Sequence, residues 1–282
     1  MTTEEDTLEL EASKHRIHRY RYLPDGNRIG GLVMVHGLGD YLGRYEHIAK
    51  LFCDRGFECT GVDLPGHGRS SGSRGHIPSI ETITDLVDTA LFEFSTALPN
   101  GAPIGIFAHS MGGFAMIEEI KNRQQLLNFA WLSSPLVSPS DGQKPLKVFA
   151  AKSVGWLLPW LPFNTGVSSE ACRPADVPRD PLLHNRVSAA FGGELMNQES
   201  IVQEAALEIN SELSLLVTHG TEDRVCSPKL SHELFDSIPL RDKRYIDVEG
   251  ALHEPLHGPQ TDWVLEQVAT WLDDQIRPSS MS

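Results

Sequence analysis

AHSMGG, residues 108–113, is the most informative stretch of this chain. It follows the apolar run 103–107, which predicts a buried strand, and it precedes a helix-like run at 114–123. A serine at the tip of a sharp turn between a strand and a helix is the layout of a nucleophile elbow, usually written G-x-S-x-G. Ala108 replaces the first glycine, and its methyl group is small enough for so tight a turn. The stretch therefore predicts that Ser110 is a nucleophile at the end of a strand.

The overall composition narrows the class of protein. The 282 residues suit one large α/β domain with room for an insertion. The net charge is −14 and no basic run stands out, so we expect no nucleic-acid partner. The four cysteines lie far apart, which argues against a zinc site or a disulfide scaffold and fits a reducing cytoplasm. Residues 1–11 lack the apolar part of a signal peptide, and no run reaches the roughly 18–20 apolar residues of a membrane span. We expect a cytoplasmic protein.

Strand-like runs alternate with helical patterns along most of the chain. The strands are predicted at 7–12, 15–23, 32–35, 58–63, 104–108, 129–133, 213–218 and 244–248. The helices between and after them are predicted at 44–55, 79–98, 228–238 and 261–276. Such alternation favours an α/β fold with a mostly parallel, eight-stranded sheet flanked by helices on both faces.

One region interrupts the alternation of strands and helices. Residues 135–197 contain scattered prolines, glycines and aromatic residues, show no clear strand and are too many for an ordinary loop. We interpret 135–197 as an inserted helical cap and assign residues 1–134 and 198–282 to the core. A helix at 197–210 is expected to return the chain to the sheet.

A serine nucleophile needs a base, and the base needs an orienting acid. In folds with a nucleophile elbow the chain order is Ser, acid, His, and the last two follow late strands. Asp223 lies after the seventh predicted strand, with Glu222 as the neighbouring alternative. His253 lies after the eighth, with His257 as the alternative. Each would be an ordinary loop residue if taken alone, and their order makes them candidates for acid and base.

Acyl transfer also requires two backbone N–H groups that stabilise the oxyanion. One is expected from Met111, the residue after the nucleophile. The other is expected from the loop 36–40, which follows the third predicted strand and reads His-Gly-Leu-Gly-Asp. We choose Leu38 because the glycines on either side permit a close approach.

Five motifs spread along the chain, one of which is the elbow, are together more specific than the elbow alone. They are HGLGDYLGRY at 36–45, VDLPGHGRSSGSRG at 62–75, AHSMGG at 108–113, GTEDRVCSP at 220–228 and ALHEPLHG at 251–258. Together they resemble the α/β-hydrolase superfamily, and within it the monoacylglycerol lipase and lysophospholipase group, which is also described as serine aminopeptidase S33-like. The resemblance implies a triad of Ser110, Asp223 and His253, with Leu38 and Met111 as oxyanion donors. It also implies no metal and no organic cofactor.

The expected reaction is hydrolysis of a carboxylic ester through an acyl-enzyme. Haloalkane dehalogenases and epoxide hydrolases have a similar fold but carry Asp at the elbow tip, where this chain has a serine. The resemblance favours a small-molecule acyl ester, above all a monoacylglycerol or a lysophospholipid. In the expected cap, Trp156, Leu157, Trp160 and Phe163 would form an apolar lip for the acyl chain and a transient contact with a membrane surface. Packing of the cap onto the core explains the same residues equally well.

Three other functions are compatible with these motifs. The same triad could act on a short-chain ester, a thioester, a peptide or a C–C bond. The fold could instead serve as a ligand receptor, or as a pseudoenzyme that associates with other proteins. The natural substrate, the cap conformation and the oligomeric state are left open by the sequence.

Overall fold

A computed structural model describes residues 1–10, 14–141, 159–167, 169–172 and 180–276. Its strands are β1 (Thr2–Leu10), β2 (His15–Leu23), β3 (Gly30–Val35), β4 (Phe57–Val62), β5 (Ile104–His109), β6 (Phe129–Ser133), β7 (Pro162–Asn164), β8 (Arg186–Ser188), β9 (Ser214–Gly220) and β10 (Lys243–Val248). Its α-helices are α1 (Glu46–Cys53), α2 (Ile80–Ala97), α3 (Met111–Arg123), α4 (Ser169–Cys172), α5 (Ala189–Leu207), α6 (Pro228–Ser237) and α7 (Thr261–Ile276). Within these described ranges, no helix is both long and apolar enough to cross a membrane.

Eight strands form a single sheet in the order β1-β2-β4-β3-β5-β6-β9-β10. The strands β1 and β2 are antiparallel to each other, and β2 is antiparallel to β4. All other neighbours are parallel. The sheet and its helices confirm the predicted fold class. The carboxyl ends of β3, β5, β6, β9 and β10 consequently share one edge, where ligands bind in folds of this type.

The sheet is buried on both faces by two hydrophobic clusters. In β3, Val33 and Val35 face a cluster that includes residues of α2, α3 and α5. Leu32 and Met34 face the other cluster, which includes residues of α1 and α7. Burial on both faces explains why this strand is apolar at successive positions instead of alternating with polar residues.

The acidic start of the chain differs from its prediction. The first strand was expected at 7–12, whereas β1 begins at Thr2 and pairs with β2 along its length. Glu4, Asp6 and Glu9 lie across from arginines of β2. Arg19, for example, binds Asp6 at 2.5 Å. Cross-strand pairs of opposite charge stabilise an exposed ribbon that carries little apolar surface.

The region predicted as a cap contains short strands and the start of a long helix. β7 and β8 form a two-stranded antiparallel ribbon where no clear strand was expected. α5 begins at Ala189, and not at residue 197, because the Ser188 side chain caps it by accepting a hydrogen bond from the Phe191 N–H. The expected boundary at 197/198 therefore lies inside a helix. The assignment of 135–197 to a cap stays a prediction.

A buried carboxyl group joins α2 to α3 on one face of the sheet. Glu119 is only 4% exposed. Arg123 donates to Glu119 at 3.0 Å and to Asp88 at 2.7 Å. Burial and a hydrogen bond with the Asp88 carboxyl group raise the pKa of Glu119 to about 7. Glu119 and Asp88 are thus two carboxyl groups that compete for one guanidinium.

Glu119→Gln should make the stability of the protein less dependent on pH. The pKa of Glu119 is raised on folding, so its contribution to stability is present below the pKa of an unfolded glutamate and is lost as pH rises through about 7. Glutamine keeps a donor toward Asp88 without ionising. We expect Tm to rise by a few degrees at about pH 8 and to depend less on pH down to about pH 5. Thermal unfolding followed by circular dichroism measures this, and an unchanged slope of Tm against pH would contradict it.

Candidate active site

Ser110 lies in the turn between β5 and α3, at the carboxyl edge of the sheet. Its φ of 53° and ψ of −119° are unusual for a residue with a side chain. Two backbone hydrogen bonds hold the turn: the Ser110 N–H donates to Ser133 O at 3.0 Å, and the Leu136 N–H donates to Ser110 O at 3.0 Å. The neighbouring strand β6 and the chain that follows it therefore fix the strained backbone of Ser110.

Ala108, Gly112 and Gly113, which lie two or three positions from Ser110, are small because other segments of the chain approach them closely. Ala108 is fully buried between β3 and β6, within the regular strand β5, where an alanine carries no strain. A Cβ atom on Gly112 would lie 2.7 Å from His36 O, and one on Gly113 would lie 2.9 Å from Pro135 Cβ. Glycine at both positions lets the start of α3 pack directly against its neighbours. Ala108, in place of the first glycine of the elbow pattern, is thus sterically compatible with the turn.

The structure brings together the three side chains that the sequence proposed as a triad. Ser110 Oγ lies 2.9 Å from His253 Nε2, and His253 Nδ1 lies 2.7 Å from Asp223 Oδ2. All three residues are buried. In this arrangement the serine hydroxyl can donate to Nε2 while the Nδ1–H donates to the carboxylate. Such a series can transfer a proton from serine to histidine and stabilise the resulting imidazolium.

Asp223 is surrounded by hydrogen-bond donors. Its Oδ1 accepts from the backbone N–H groups of Val225 at 2.7 Å and Cys226 at 3.0 Å. Its Oδ2 also accepts from His219 Nε2 at 3.0 Å. Burial raises the pKa of Asp223, but His253 and the His219 hydrogen bond outweigh it and hold the pKa well below its usual range. The carboxylate therefore stays ionised at neutral pH.

The alternatives for acid and base are not in contact with Ser110. Glu222 is exposed, and its backbone N–H bonds to Ala251 O. His257 is half-buried and packs against Tyr45, with ring centroids 5.0 Å apart. Burial and the neighbouring Arg44 lower the pKa of His257 well below its usual value. Neither residue takes part in the hydrogen bonds that link Ser110 to Asp223.

The loop 36–40 reaches the nucleophile. A Cβ atom on Gly37 would lie only 3.0 Å from Ser110 Cβ, so the absence of a side chain lets the loop touch the serine. Leu38 and Met111 both line the cavity that contains Ser110. The structure therefore brings both expected oxyanion residues to the same wall as the nucleophile, and their role as donors stays a prediction.

A buried arginine that the sequence analysis did not assign connects two loops of the site. Arg44 donates to Asp40 Oδ1 at 2.8 Å and to Glu254 Oε2 at 2.5 Å. Asp40 ends the loop 36–40, and Glu254 directly follows His253. Burial raises the pKa of Asp40, but Arg44 outweighs it and holds that pKa below its usual range. The motif GRY at 43–45 was the available signal, but its partners lie in distant segments.

A cavity of about 670 Å³ opens above Ser110. Its described apolar lining residues include Leu38, Met111, Leu136, Phe163, Val167, Leu183, Val187, Leu195, Met196 and Val225. Phe163 is thus one of the expected substrate contacts that line the cavity, whereas Trp160 is 59% exposed and is not among the described lining residues. The other two, Trp156 and Leu157, lie outside the residues that the structure describes.

Comparison with known proteins identifies the family. Residues 26–260 match the model of the family described as serine aminopeptidase, S33. The protein belongs to this family. The match covers the strands and loops that carry Ser110, Asp223 and His253.

Individual relatives agree with this assignment. A monoglyceride lipase of Rattus norvegicus is 30% identical over 266 residues, which cover 90% of this chain and 85% of that protein. An uncharacterized abhydrolase domain-containing protein of Dictyostelium discoideum is 28% identical over 98% of this chain, and the chain spans only 29% of that longer protein. The crystal structure of a monoacylglycerol lipase of Paleococcus ferrophilus superimposes with a TM-score of 0.82 at 28% identity, covering 92% of this chain and 99% of that one. These matches confirm the predicted family, the α/β-hydrolase fold and an ester hydrolase that acts on a small molecule.

Gly112→Ala tests the close packing behind the elbow. The new methyl group would lie 2.7 Å from His36 O and 2.9 Å from Val35 O, so α3 would have to move away from β3. We expect a loss of about 1–3 kcal/mol in the free energy of unfolding, measured by urea denaturation. The control is Gly26→Ala, because a Cβ atom there meets nothing within 4 Å. Equal stability of the two variants would contradict the packing argument.

Proposed function

We propose that the protein hydrolyses monoacylglycerols, or similarly neutral monoacyl esters, with Ser110, His253 and Asp223 as its catalytic triad. The observation that carries the proposal is the line of hydrogen bonds from Ser110 Oγ through His253 to Asp223, at 2.9 and 2.7 Å. Ser110 and His253, at one end of this line, border a cavity with many apolar lining residues. The volume of about 670 Å³ is typical of a pocket that encloses a small organic ligand.

The proposed reaction proceeds through an acyl-enzyme. Ser110 Oγ attacks the ester carbonyl while His253 Nε2 takes the serine proton. The protonated His253 then gives this proton to the departing alcohol. A water molecule repeats the sequence on the acyl-enzyme, which releases the fatty acid and restores Ser110. Throughout, Asp223 keeps the Nδ1–H of His253 in place and stabilises the imidazolium.

We assign oxyanion stabilisation to the backbone N–H groups of Leu38 and Met111. Met111 is the first residue of α3, so its N–H has no partner within the helix. The positive end of the helix dipole also favours a negative charge at this point. Contact between Gly37 and Ser110 supports the assignment of Leu38, because it holds the loop against the nucleophile.

The charges around the cavity favour a neutral head group over a phosphate. The described charged residues that line it are acidic: Asp40, Asp141, Asp180 and Glu254. No lysine or arginine is among the lining residues in the described ranges. Among these described residues, an anionic phosphate would face carboxylates without a cationic partner, whereas the hydroxyl groups of glycerol can donate to them. The names of the rat and Paleococcus proteins support the same substrate class, and lysophospholipids are the second candidate.

We further propose that residues 135–197 act as a cap through which the acyl chain enters. Described residues from this region, including Leu136, Phe163 and Leu183, supply much of the apolar lining. Trp160 and Phe163 are 59% and 41% exposed, which supports transient contact with a lipid surface. The thiols of Cys53, Cys59 and Cys226 are buried and form no disulfide, which supports a cytoplasmic location.

Ser110→Ala, His253→Ala and Asp223→Ala test the triad. Each removes one member of a unit that acts together, so kcat should fall by about four orders of magnitude or more. Initial rates on p-nitrophenyl esters measure kcat, and labelling by a fluorophosphonate followed by mass spectrometry locates the nucleophile. Glu222→Gln is the matched control and should retain wild-type rates, because Glu222 is exposed beside Asp223. Near-normal turnover in any alanine variant would remove that residue from the triad.

A pair of substrates with the same acyl chain tests the head group. We expect kcat/KM for a long-chain monoacylglycerol to exceed that for the matching lysophosphatidate by about tenfold or more, because the phosphate would lie unpaired among carboxylates. A p-nitrophenyl ester series of increasing chain length measures the acyl preference. Equal rates on both head groups, or activity on short chains alone, would contradict this substrate class. Tight binding with negligible turnover would indicate a receptor instead.

A further inference from the structure

Asp223 accepts hydrogen bonds from two imidazole rings through the same oxygen atom. His253 Nδ1 lies 2.7 Å from Oδ2, and His219 Nε2 lies 3.0 Å from it. The other oxygen, Oδ1, is occupied by two backbone N–H groups. His219 is therefore the one side chain, besides His253, that donates to this carboxylate among the hydrogen bonds of the described residues.

His219 also fixes the loop that follows Asp223. Its Nε2 lies 3.2 Å from Cys226 O, so one N–H is shared between the carboxylate and this carbonyl. Cys226 Sγ in turn lies 4.0 Å from Ser110 Oγ. His219 thus holds both ends of the turn 223–226, and the far end of this turn contacts the nucleophile.

The end of β9 places His219 close to the base. A Cβ atom on Gly220 would lie 2.2 Å from Leu252 O, so the strand end and the loop that precedes His253 are in direct backbone contact. His219 is fully buried, and within the described structure its Nδ1 has no hydrogen-bond partner. A proton on Nδ1 would be a buried donor without an acceptor, so the tautomer with Nε2–H is favoured.

A second donor on Oδ2 restrains the orientation of the carboxylate toward His253. It prevents the carboxylate from rotating away from the His253 Nδ1–H, because both N–H groups point at one oxygen.

We propose that His219 is a positioning residue that orients Asp223 toward His253. The inference rests on the proposed triad. Other titratable groups close to this pair are His109, whose ring lies 5.0 Å from that of His253, the thiol of Cys226 and the more distant Tyr245. None of these three occupies Oδ2, so a change at His219 alters the carboxylate without replacing a partner of theirs.

Two amide variants separate the hydrogen bond from the bulk of the ring. In His219→Gln the amide nitrogen reaches about as far from Cβ as imidazole Nε2 and can donate to Asp223. In His219→Asn the side chain is one methylene shorter and does not reach. Thr218→Val is the matched control, because Thr218 lies on the same strand as His219. The substitution removes the buried hydrogen bond that Thr218 accepts from Trp131 Nε1, without touching Asp223.

The measurement is kcat and KM for the full chain on a p-nitrophenyl ester. For His219→Asn we expect kcat to fall about 10- to 100-fold, as for other partners that orient a functional side chain, with little change in KM. His219→Gln should restore most of kcat, because its amide can donate to Asp223, and Thr218→Val should lower Tm alone.

Two results would overturn the proposal. In the first, His219→Asn and His219→Gln lose the same activity, as a purely structural role requires. In the second, both variants behave as wild type. The NMR chemical shift of the His253 Nδ1 proton, compared among the variants at one pH, supplies a readout that needs no turnover. Failure of the proposed triad would be recognised separately, as Ser110-independent activity in the otherwise unchanged protein.

Discussion

The positive φ of Ser110 is the constraint on which the rest of the site depends. A residue with a side chain adopts this backbone only where its surroundings hold it there, and here β5, β6 and the start of α3 do so together. Because α3 must begin immediately after the serine, its first turn packs against β3 with no room for a side chain at Gly112. The same turn directs the serine hydroxyl toward His253 and leaves the Met111 N–H outside the helical hydrogen bonds. The strained backbone of Ser110, the close packing of α3 against β3 and the direction of the serine hydroxyl therefore all follow from this one turn.

The carboxyl edge of the sheet collects buried charges, and each has its own neutralising partners. Asp223 is held by two histidines and two backbone N–H groups, whereas Asp40 is held by Arg44 and by the hydroxyl of Tyr45. An isolated carboxylate at either place would be costly to bury, so these partners are a condition for folding as well as for chemistry. Because these carboxylates are already paired, the proposed uncharged ester would enter the pocket without a charge that competes for their partners.

Sequence reasoning predicted the position of a site residue where that position is determined by a short segment. The elbow around Ser110, the loop 36–40 and the segments with Asp223 and His253 each follow a strand, and their order along the chain was enough to bring them to one edge. It failed where a role depends on segments far apart in sequence. Arg44 joins Asp40 to Glu254, and no local pattern signals the second partner. The first strand was likewise predicted to begin only at residue 7, because the arginines that stabilise its acidic start lie in β2.

The chain around His184, which lines the cavity, is in direct contact with the loop 36–40 beside Ser110. The His184 N–H donates to Gly39 O at 2.9 Å, and a Cβ atom on Gly39 would lie 1.9 Å from His184 O. His184 lines the cavity, and Gly39 is the neighbour of Leu38 in the loop 36–40. A shift of the chain around His184 to fit a different ligand would therefore displace the backbone beside Leu38 unless this hydrogen bond broke. The fit of a ligand and the position of the proposed oxyanion donor Leu38 are thus coupled through one backbone contact, so we expect substitutions that widen the cavity near His184 to alter catalysis together with specificity.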